Sequence, residues 1–138
     1  VSSDCLFCQI AAAAQPATIV FEDEHAVGFL DIRPVFKGHV LLVPRRHVVT
    51  LADLPAEELA PFFARVQLLS AALPAALGAQ GTFVAINNVV SQSVAHLHCH
   101  VVPRTKGDGL RGFFWPRTTY ESDEERDDYA ARITAALS

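Results

Sequence analysis

The sequence predicts an α+β fold, with an antiparallel sheet of about five strands, one long helix and a C-terminal helix. Three observations carry this expectation. TIVFED (18–23), AVGFLD (26–31) and VLLV (40–43) are short apolar runs of strand length. From Asp53 to Gly78 the apolar residues instead recur at helical spacing. Two further strand-like runs follow, TFVAINN (82–88) and HLHCHVVPR (96–104). Strands grouped on either side of one helix, rather than alternating with helices, favour antiparallel pairing.

Taken in order, CLFCQIAAAA reads as a short turn leading into a helix closed by Pro16. The next two runs flank Glu24-His25 and form a hairpin. VLLV follows Lys37-Gly38-His39, stops at Pro44 and has the continuous apolarity of a buried strand. Asp53 is expected to cap the long helix, with Glu57 and Glu58 in its first turn complementing the dipole. Leu59, Phe62, Phe63, Val66, Leu69 and Leu73 form its apolar face; Pro74 should break or kink it, and Gly78 suits its end. After the 82–88 strand, VVSQS is a polar loop before the histidine-bearing strand, and Lys106–Gly109 is another loop. GFFWPR (112–117) has no clear assignment. Ser122 and Glu125 form an S-x-x-E box opening a C-terminal helix with Tyr129, Ile133 and Leu137 inward.

The 138 residues suffice for one domain with a real core, and 51% hydrophobic against 19% charged content excludes disorder. Net charge is −4 and no basic run exceeds Arg45-Arg46, so no nucleic-acid polymer is expected as a partner. Val1-Ser2-Ser3-Asp4 is not a charged leader, and Ile10–Ala14 is too short for a signal core or membrane span. A cytoplasmic protein with no membrane partner is the expectation. Three cysteines, an odd number, make a poor disulfide framework, and Cys99 reads as a small buried hydrophobe.

The chemistry lies in HLHCHVVPR. In a strand, alternate side chains share a face, so His96, His98 and His100 line one surface while Leu97, Cys99 and Val101 point away. Imidazoles packed together cannot all satisfy their ring nitrogens with each other, so such a face binds something. Metal ligation and nucleophilic attack by a neutral imidazole both suit it. The outer two backbones stand about 13 Å apart, which disfavours one zinc gripping all three and suits an extended phosphate or nucleotide.

HLHCHVV matches the H-φ-H-φ-H-φ-φ pattern, where φ is hydrophobic, and so resembles the histidine triad (HIT) superfamily of nucleotide hydrolases and transferases. DIRPVFKGHVLLVPRRH (31–47) and SQSVAHLHCHVVPRTKGD (91–108) resemble the family's upstream segment and core. The likeness spans roughly residues 5–110, implying one HIT-type domain over 1–138, with 111–138 as its C-terminal aromatic segment and helix. It implies that His98 is the nucleophile, its far nitrogen attacking the α-phosphorus while its near nitrogen donates to the backbone carbonyl of His96. His100 would contact phosphate or leaving group, and His39 would back the triad. Gln92 and Ser93 would bind phosphate oxygens, Asn87 would lie near the phosphate and Asp31 would accept the ribose hydroxyls. Phe7, Ile10, Phe29 and Ile32 fall where the family packs its purine. Ser91 departs from the pattern, standing where the family usually has glycine, and the 87–93 loop looks short; both touch leaving-group preference.

Cys5-Leu6-Phe7-Cys8 is by itself either a redox pair or half of a zinc site. A redox pair usually opens a helix after a strand in a βαβ unit, and no such unit precedes it. Some bacterial and archaeal members of the family complete a zinc site with the histidine of a P-x-x-H segment and the first triad histidine, here His47 and His96. Cys5, Cys8, His47 and His96 would form a closed, structural site; no organic cofactor is implied. The resemblance implies a homodimer acting on a small adenosine-type nucleoside 5′-phosphoryl compound. Hint-like phosphoramidate hydrolysis comes first, and cleavage or phosphorolysis of dinucleoside polyphosphates second, the VVPRTKGD tail being rather Fhit-like. A nucleotide-binding module with little turnover, and a zinc hydrolase using the triad as ligands, are the rivals from other classes.

Overall fold

The computed structural model describes residues 4–110 and 117–137. Residues 1–108 and 109–138 form two compact units. The first contains α1 (Leu6–Ala11), β1 (Ile19–Glu22), β2 (Ala26–Leu30), β3 (Val40–Pro44), a 3₁₀ turn (Leu51–Asp53), α2 (Ala56–Leu77), β4 (Gly81–Ile86) and β5 (Cys99–Arg104). Its sheet has the order β1-β2-β3-β5-β4, with every neighbour antiparallel, as the grouped strand runs predict.

The β1–β2 turn is built by Asp23, whose Oδ1 accepts the backbone N–H groups of His25 (2.9 Å) and Ala26 (3.0 Å). Arg65 of α2 donates to the other carboxylate oxygen at 2.7 Å, and these donors hold the Asp23 carboxyl below its usual range against the effect of burial. Arg45 donates to the Asp23 carbonyl (2.6 Å) and to the Ala11 carbonyl (2.8 Å), tying the hairpin turn to the end of α1.

The sheet is covered on both faces. Ala26, Val40, Leu42, Leu97, Cys99 and Val101 pack against Phe62, Val66, Leu69 and Leu73 of α2. Phe7 and Ile10 of α1 pack with Val27, Phe29, Leu41 and Val43 on the other side. Pairing of Leu41 with His100 and of Leu42 with Cys99 places His100 on the α1 face and Cys99 on the α2 face. Burial pushes the Cys99 thiol up to about 12, so it is an inert core group.

Several expectations need correction. α1 stops at Ala11, well before Pro16, and Ala13 turns the chain with φ 59. Asp53 does not cap the long helix. It closes a capping box with Thr50 around the 3₁₀ turn, and Pro55 precedes α2. Pro74 does not break α2, which runs to Leu77 and a left-handed Gly78 cap. Sitting in the last turn, Pro74 removes one i→i−4 bond while Leu69 and Leu73 stay buried against the sheet. Leu59 and Phe63 lie outside the buried face.

The histidine strand also starts late, at Cys99 rather than His96. β3 ends on Pro44, which has no N–H to extend the ladder. The Pro44 carbonyl instead accepts from His96 Nε2 (2.8 Å), and the Leu97 N–H donates to the Val48 carbonyl (2.7 Å).

The second unit contains α3 (Asp123–Leu137). Ser122 Oγ accepts the Glu125 N–H (3.0 Å), but the Glu125 carboxylate reaches Glu121 N (2.9 Å) rather than Ser122 N. Tyr129, Ile133 and Leu137 were expected inward; all three are exposed, Leu137 by 81%. Residues 112–116 of the aromatic segment lie outside the described residues.

Candidate active site

His98 is 2% exposed, between Leu97 and Cys99 of the α2-facing core, so its ring turns to the opposite side. Its Nδ1 lies 2.8 Å from the His96 carbonyl oxygen. A carbonyl only accepts, so Nδ1 carries a proton and, in the neutral ring, Nε2 keeps a bare lone pair.

A second chain of bonds sets His100. The backbone N–H of Val35 donates to His39 Nδ1 (3.1 Å), and His39 Nε2 lies 3.0 Å from His100 Nδ1. With Nδ1 used as an acceptor, neutral His39 must carry its proton on Nε2 and donate it, which leaves neutral His100 with its proton on its own Nε2. That nitrogen is buried and has no hydrogen-bond partner among the described residues. Burial, followed by the neighbouring His98 and His39, pushes His100 down to about 4, with Asp31 opposing. Burial likewise lowers His39 against the pull of Asp31. The pair is therefore neutral near pH 7 and presents one N–H donor beside the bare nitrogen of His98, whose ring lies 5.1 Å from that of His100.

His39 is delivered by a folded loop. Asp31 N donates to the His39 carbonyl (3.0 Å), His39 N donates to the Phe36 carbonyl (3.0 Å), and Gly38 adopts φ +98. That backbone angle favours glycine, whereas a Cβ there would only displace the end of the exposed Leu77 side chain. Asp31 Oδ1 accepts the Arg33 N–H (2.8 Å), while Oδ2 stands 3.7 Å from His39 Nδ1. Asp31, His39 and His100 have donor atoms close enough to hold a metal. The Val35 N–H already uses the His39 Nδ1 lone pair, however, and marks the group as a hydrogen-bond relay.

The remaining expected residues divide. Phe7, Ile10 and Phe29 are buried together, whereas Ile32 is 93% exposed. A recess of about 220 Å³ bordered by Ile10, Ala13, Gln15, Ile19, Glu22 and Val27 adjoins that cluster and is lined by none of the histidines. Gln92 ties its loop to the segment after β3. Its Oε1 accepts the Val89 N–H (3.0 Å) and its Nε2 donates to the Val49 carbonyl (2.6 Å). Ser93 is exposed at the surface of the same loop, and Asn87 follows β4, half-buried. The neighbouring Asn88 ties down the 3₁₀ turn through Leu51 N (2.8 Å). Arg104, at the end of β5, is forked onto Asp108 at 2.6 and 2.9 Å. The supports from Pro44, Val35 and Val48 are backbone groups that motif reading misses. The one signal for them was Pro44 itself, which ends a ladder.

His96 turns away from the other two triad rings, toward Cys5, Cys8 and His47. Cys8 Sγ is 3.2 Å from His47 Nδ1 and 3.5 Å from His96 Nδ1; Cys5 Sγ is 3.4 Å from His96 Nδ1, and the two imidazole nitrogens are 3.2 Å apart. Zinc tetrahedra with Zn–N of about 2.0–2.1 Å and Zn–S of about 2.3 Å have N–N edges near 3.3 Å and N–S edges near 3.6 Å. The donor set therefore fits zinc. Donation from His96 Nε2 to Pro44 leaves Nδ1 as the lone-pair nitrogen, and the Cys8 N–H points at Cys5 Sγ (3.4 Å), supporting a thiolate.

The HIT domain family profile matches residues 12–107. An uncharacterized HIT-like protein of Methanocaldococcus jannaschii is 42% identical over 107 residues, covering 76% of this chain and 82% of that one. The adenosine 5′-monophosphoramidase of Schizosaccharomyces pombe is 30% identical over 122 residues, 87% of this chain and 89% of that one. An adenylylsulfatase of Arabidopsis thaliana is 32% identical over 112 residues, 80% of this chain and 57% of that one. Among solved structures, a Streptococcus mutans protein superposes with TM-score 0.88 at 34% identity, covering 100% of this chain and 88% of that one. A zinc-bound histidine triad family protein of Mycobacterium smegmatis does so with TM-score 0.73 at 37% identity, covering 96% and 97%. The chain belongs to the histidine triad family.

Proposed function

We propose that this chain is a nucleotidyl hydrolase acting at the α-phosphorus of an adenosine-type nucleoside 5′-phosphoryl compound, with a phosphoramidate as substrate. The observation that carries the reading is the 2.8 Å bond from His98 Nδ1 to the His96 carbonyl, which holds the ring with its Nε2 lone pair free. In the reaction, Nε2 bonds to phosphorus, the P–N bond breaks and the departing amine takes a proton from solvent. Water then attacks the nucleotidyl-histidine and releases the nucleotide. His100 Nε2–H donates to a phosphoryl oxygen as negative charge grows on it. The phosphoramidase and the adenylylsulfatase among the relatives support an adenylyl group with a variable leaving group. The Arg104–Asp108 fork argues against a long polyphosphate.

Cys5, Cys8, His47 and His96 would hold a structural zinc; it cross-links α1 to the chain before β5 and, with four protein donors, has no position for water. The zinc-bound mycobacterial relative supports this assignment. A homodimer is part of the proposal, supported by β4 at the sheet edge with an exposed Val84.

One specific observation favours a second reading, a nucleotide-binding module with little turnover: the Gln92 amide is engaged by the Val89 N–H and the Val49 carbonyl rather than held free for a phosphate. One experiment decides. Adenosine phosphoramidate, a diadenosine polyphosphate and free phosphate as acceptor are assayed side by side, with acid-labile nucleotide on His98 sought by mass spectrometry. His98→Ala is expected to lose nearly all turnover, by roughly 10⁴-fold or more, with AMP binding within about 1–2 kcal/mol of wild type. Activity within tenfold of wild type would sink the covalent mechanism.

A further inference from the structure

The recess of about 220 Å³ at the end of α1 has an apolar border broken by two polar side chains, Gln15 and Glu22. Ile10 belongs both to that border and to the buried cluster of Phe7 and Phe29, so the recess continues the apolar surface on which a purine face would pack. Sheet register relates it to the nucleophile. Glu22 pairs with Val27, and Val27 with Val43. Leu42 pairs with Cys99, which brings Val43 level with His98. Glu22, Val27, Val43 and His98 thus lie in one row across the sheet. Val27 and Val43 share the α1 face, to which the His98 ring also turns. At about 4.8 Å per strand, the Val27 wall of the recess stands roughly 10 Å from His98, within the reach of a ribose 5′-phosphate.

The backbone holds Gln15 at the rim. Ala13 turns the chain with φ 59, and the N–H groups of Ala14 (2.7 Å) and Gln15 (3.3 Å) both donate to the Gln9 carbonyl. Glu22 is oriented by Arg45, which stands 3.3 Å from its Oε1. No lysine, arginine or histidine borders the recess. A carboxamide offers one acceptor and one donor side by side, whereas a carboxylate only accepts. We propose that Gln15 reads the edge of the base and, with Glu22, selects a 6-aminopurine over a 6-oxopurine. The inference rests on the nucleotide reading of the site and deepens it. Gln15 Oε1 accepts one hydrogen of the 6-amino group, and Nε2 donates to the neighbouring ring nitrogen. The Glu22 carboxylate accepts the other amino hydrogen. A 6-oxopurine can still be met by a rotated Gln15 amide, but Glu22 cannot donate, so the oxo group faces a carboxylate. Gln15 therefore supplies affinity and Glu22 supplies discrimination.

The test is calorimetry with AMP, IMP and purine riboside 5′-monophosphate, which lacks the 6-substituent, on wild type, Gln15→Leu and Glu22→Gln. Both side chains are exposed, so both variants are expected to fold. Wild type should bind AMP roughly tenfold or more tightly than IMP. Gln15→Leu should weaken AMP about 5–20-fold and purine riboside 5′-monophosphate about threefold or less. Glu22→Gln should narrow the preference for AMP over IMP by about threefold or more, because a carboxamide can donate to the oxo group. Equal losses of the two ligands in Gln15→Leu overturn the proposal, since they show apolar packing alone. So does an unchanged preference in Glu22→Gln, and so does a wild type that binds IMP as tightly as AMP. Failure of the nucleotidyl-transfer reading shows separately, as absence of any nucleotidyl-His98 from a wild type that still prefers AMP.

Discussion

Removing zinc is the most direct perturbation of the proposed architecture. The four donor atoms lie within 4.8 Å of one another and belong to three separate parts of the chain: α1, the segment after β3 and the segment before β5. Two imidazole nitrogens, of His47 and His96, stand 3.2 Å apart beside the buried Cys8 thiol. An ion that binds only the folded chain stabilises it by about 4 kcal/mol when free zinc is 1,000 times Kd. At ~2–8 °C per kcal/mol for domains bracketing this size, chelation should lower Tm by roughly 8–32 °C. Differential scanning calorimetry in reducing buffer, with elemental analysis of protein purified without chelator, measures both quantities. Turnover should fall less than stability and should not vanish, which separates a structural ion from a catalytic one. A metal content near zero with Cys5 and Cys8 freely titratable in the folded protein, or a Tm shift under about 2 °C, would refute the reasoning.

Four further outcomes are expected. Asp31→Ala should weaken AMP binding by roughly 1.5–3 kcal/mol and 2′,3′-dideoxy-AMP far less; equal losses by calorimetry would make Asp31 merely structural. His100 is held at about 4 in the fold against 6.5 in the open chain, so the fold prefers its neutral form. That stability is complete above about pH 6.5 and is lost as pH falls from there toward 4. With allowance for partial exposure, zinc-loaded wild type should lose on the order of 1–2 kcal/mol more than His100→Gln between pH 7 and pH 4 in urea titrations. Phe62→Ala, at the 2% exposed centre of the α2 face, should cost about 3–5 kcal/mol by the same method. Ser91 has φ 63, so Ser91→Gly should stabilise the fold by about 1 kcal/mol, read as a raised Tm.

Much of this molecule was legible because the signals are local. Five apolar runs of strand length gave five strands, and Asp23 closes the first hairpin through bonds two and three residues ahead. The long helix followed from Phe62, Val66, Leu69 and Leu73, which keep one face whatever lies beneath. The family was legible in the histidine spacing together with the segments around His39 and Ser93. Where reading failed, it weighed one residue without its surroundings. Pro74 looked like a breaker, yet one lost bond in a last turn is outweighed by packing on the sheet. Asp53 looked like the cap of the long helix, yet Thr50 claims it for a separate turn. Tyr129, Ile133 and Leu137 have the spacing of a buried face and are exposed, since periodicity marks a face without supplying a surface to cover it.

The order of residue types along the chain determined the family, the sheet-and-helix inventory and which side of β5 each residue takes, because alternation and helical spacing are properties of the backbone. Tertiary structure alone decided what each histidine does. His96, His98 and His100 look equivalent in the string HLHCH, but each imidazole takes its role from the group opposite its ring nitrogens. His96 meets the Pro44 carbonyl and turns Nδ1 to the cysteines, His98 meets the His96 carbonyl and keeps Nε2 bare, and His100 meets His39 and is left with a buried N–H. Those partners lie up to 91 positions away or are backbone atoms common to every residue. No local pattern encodes a tautomer, because the proton goes to whichever nitrogen the fold places against an acceptor.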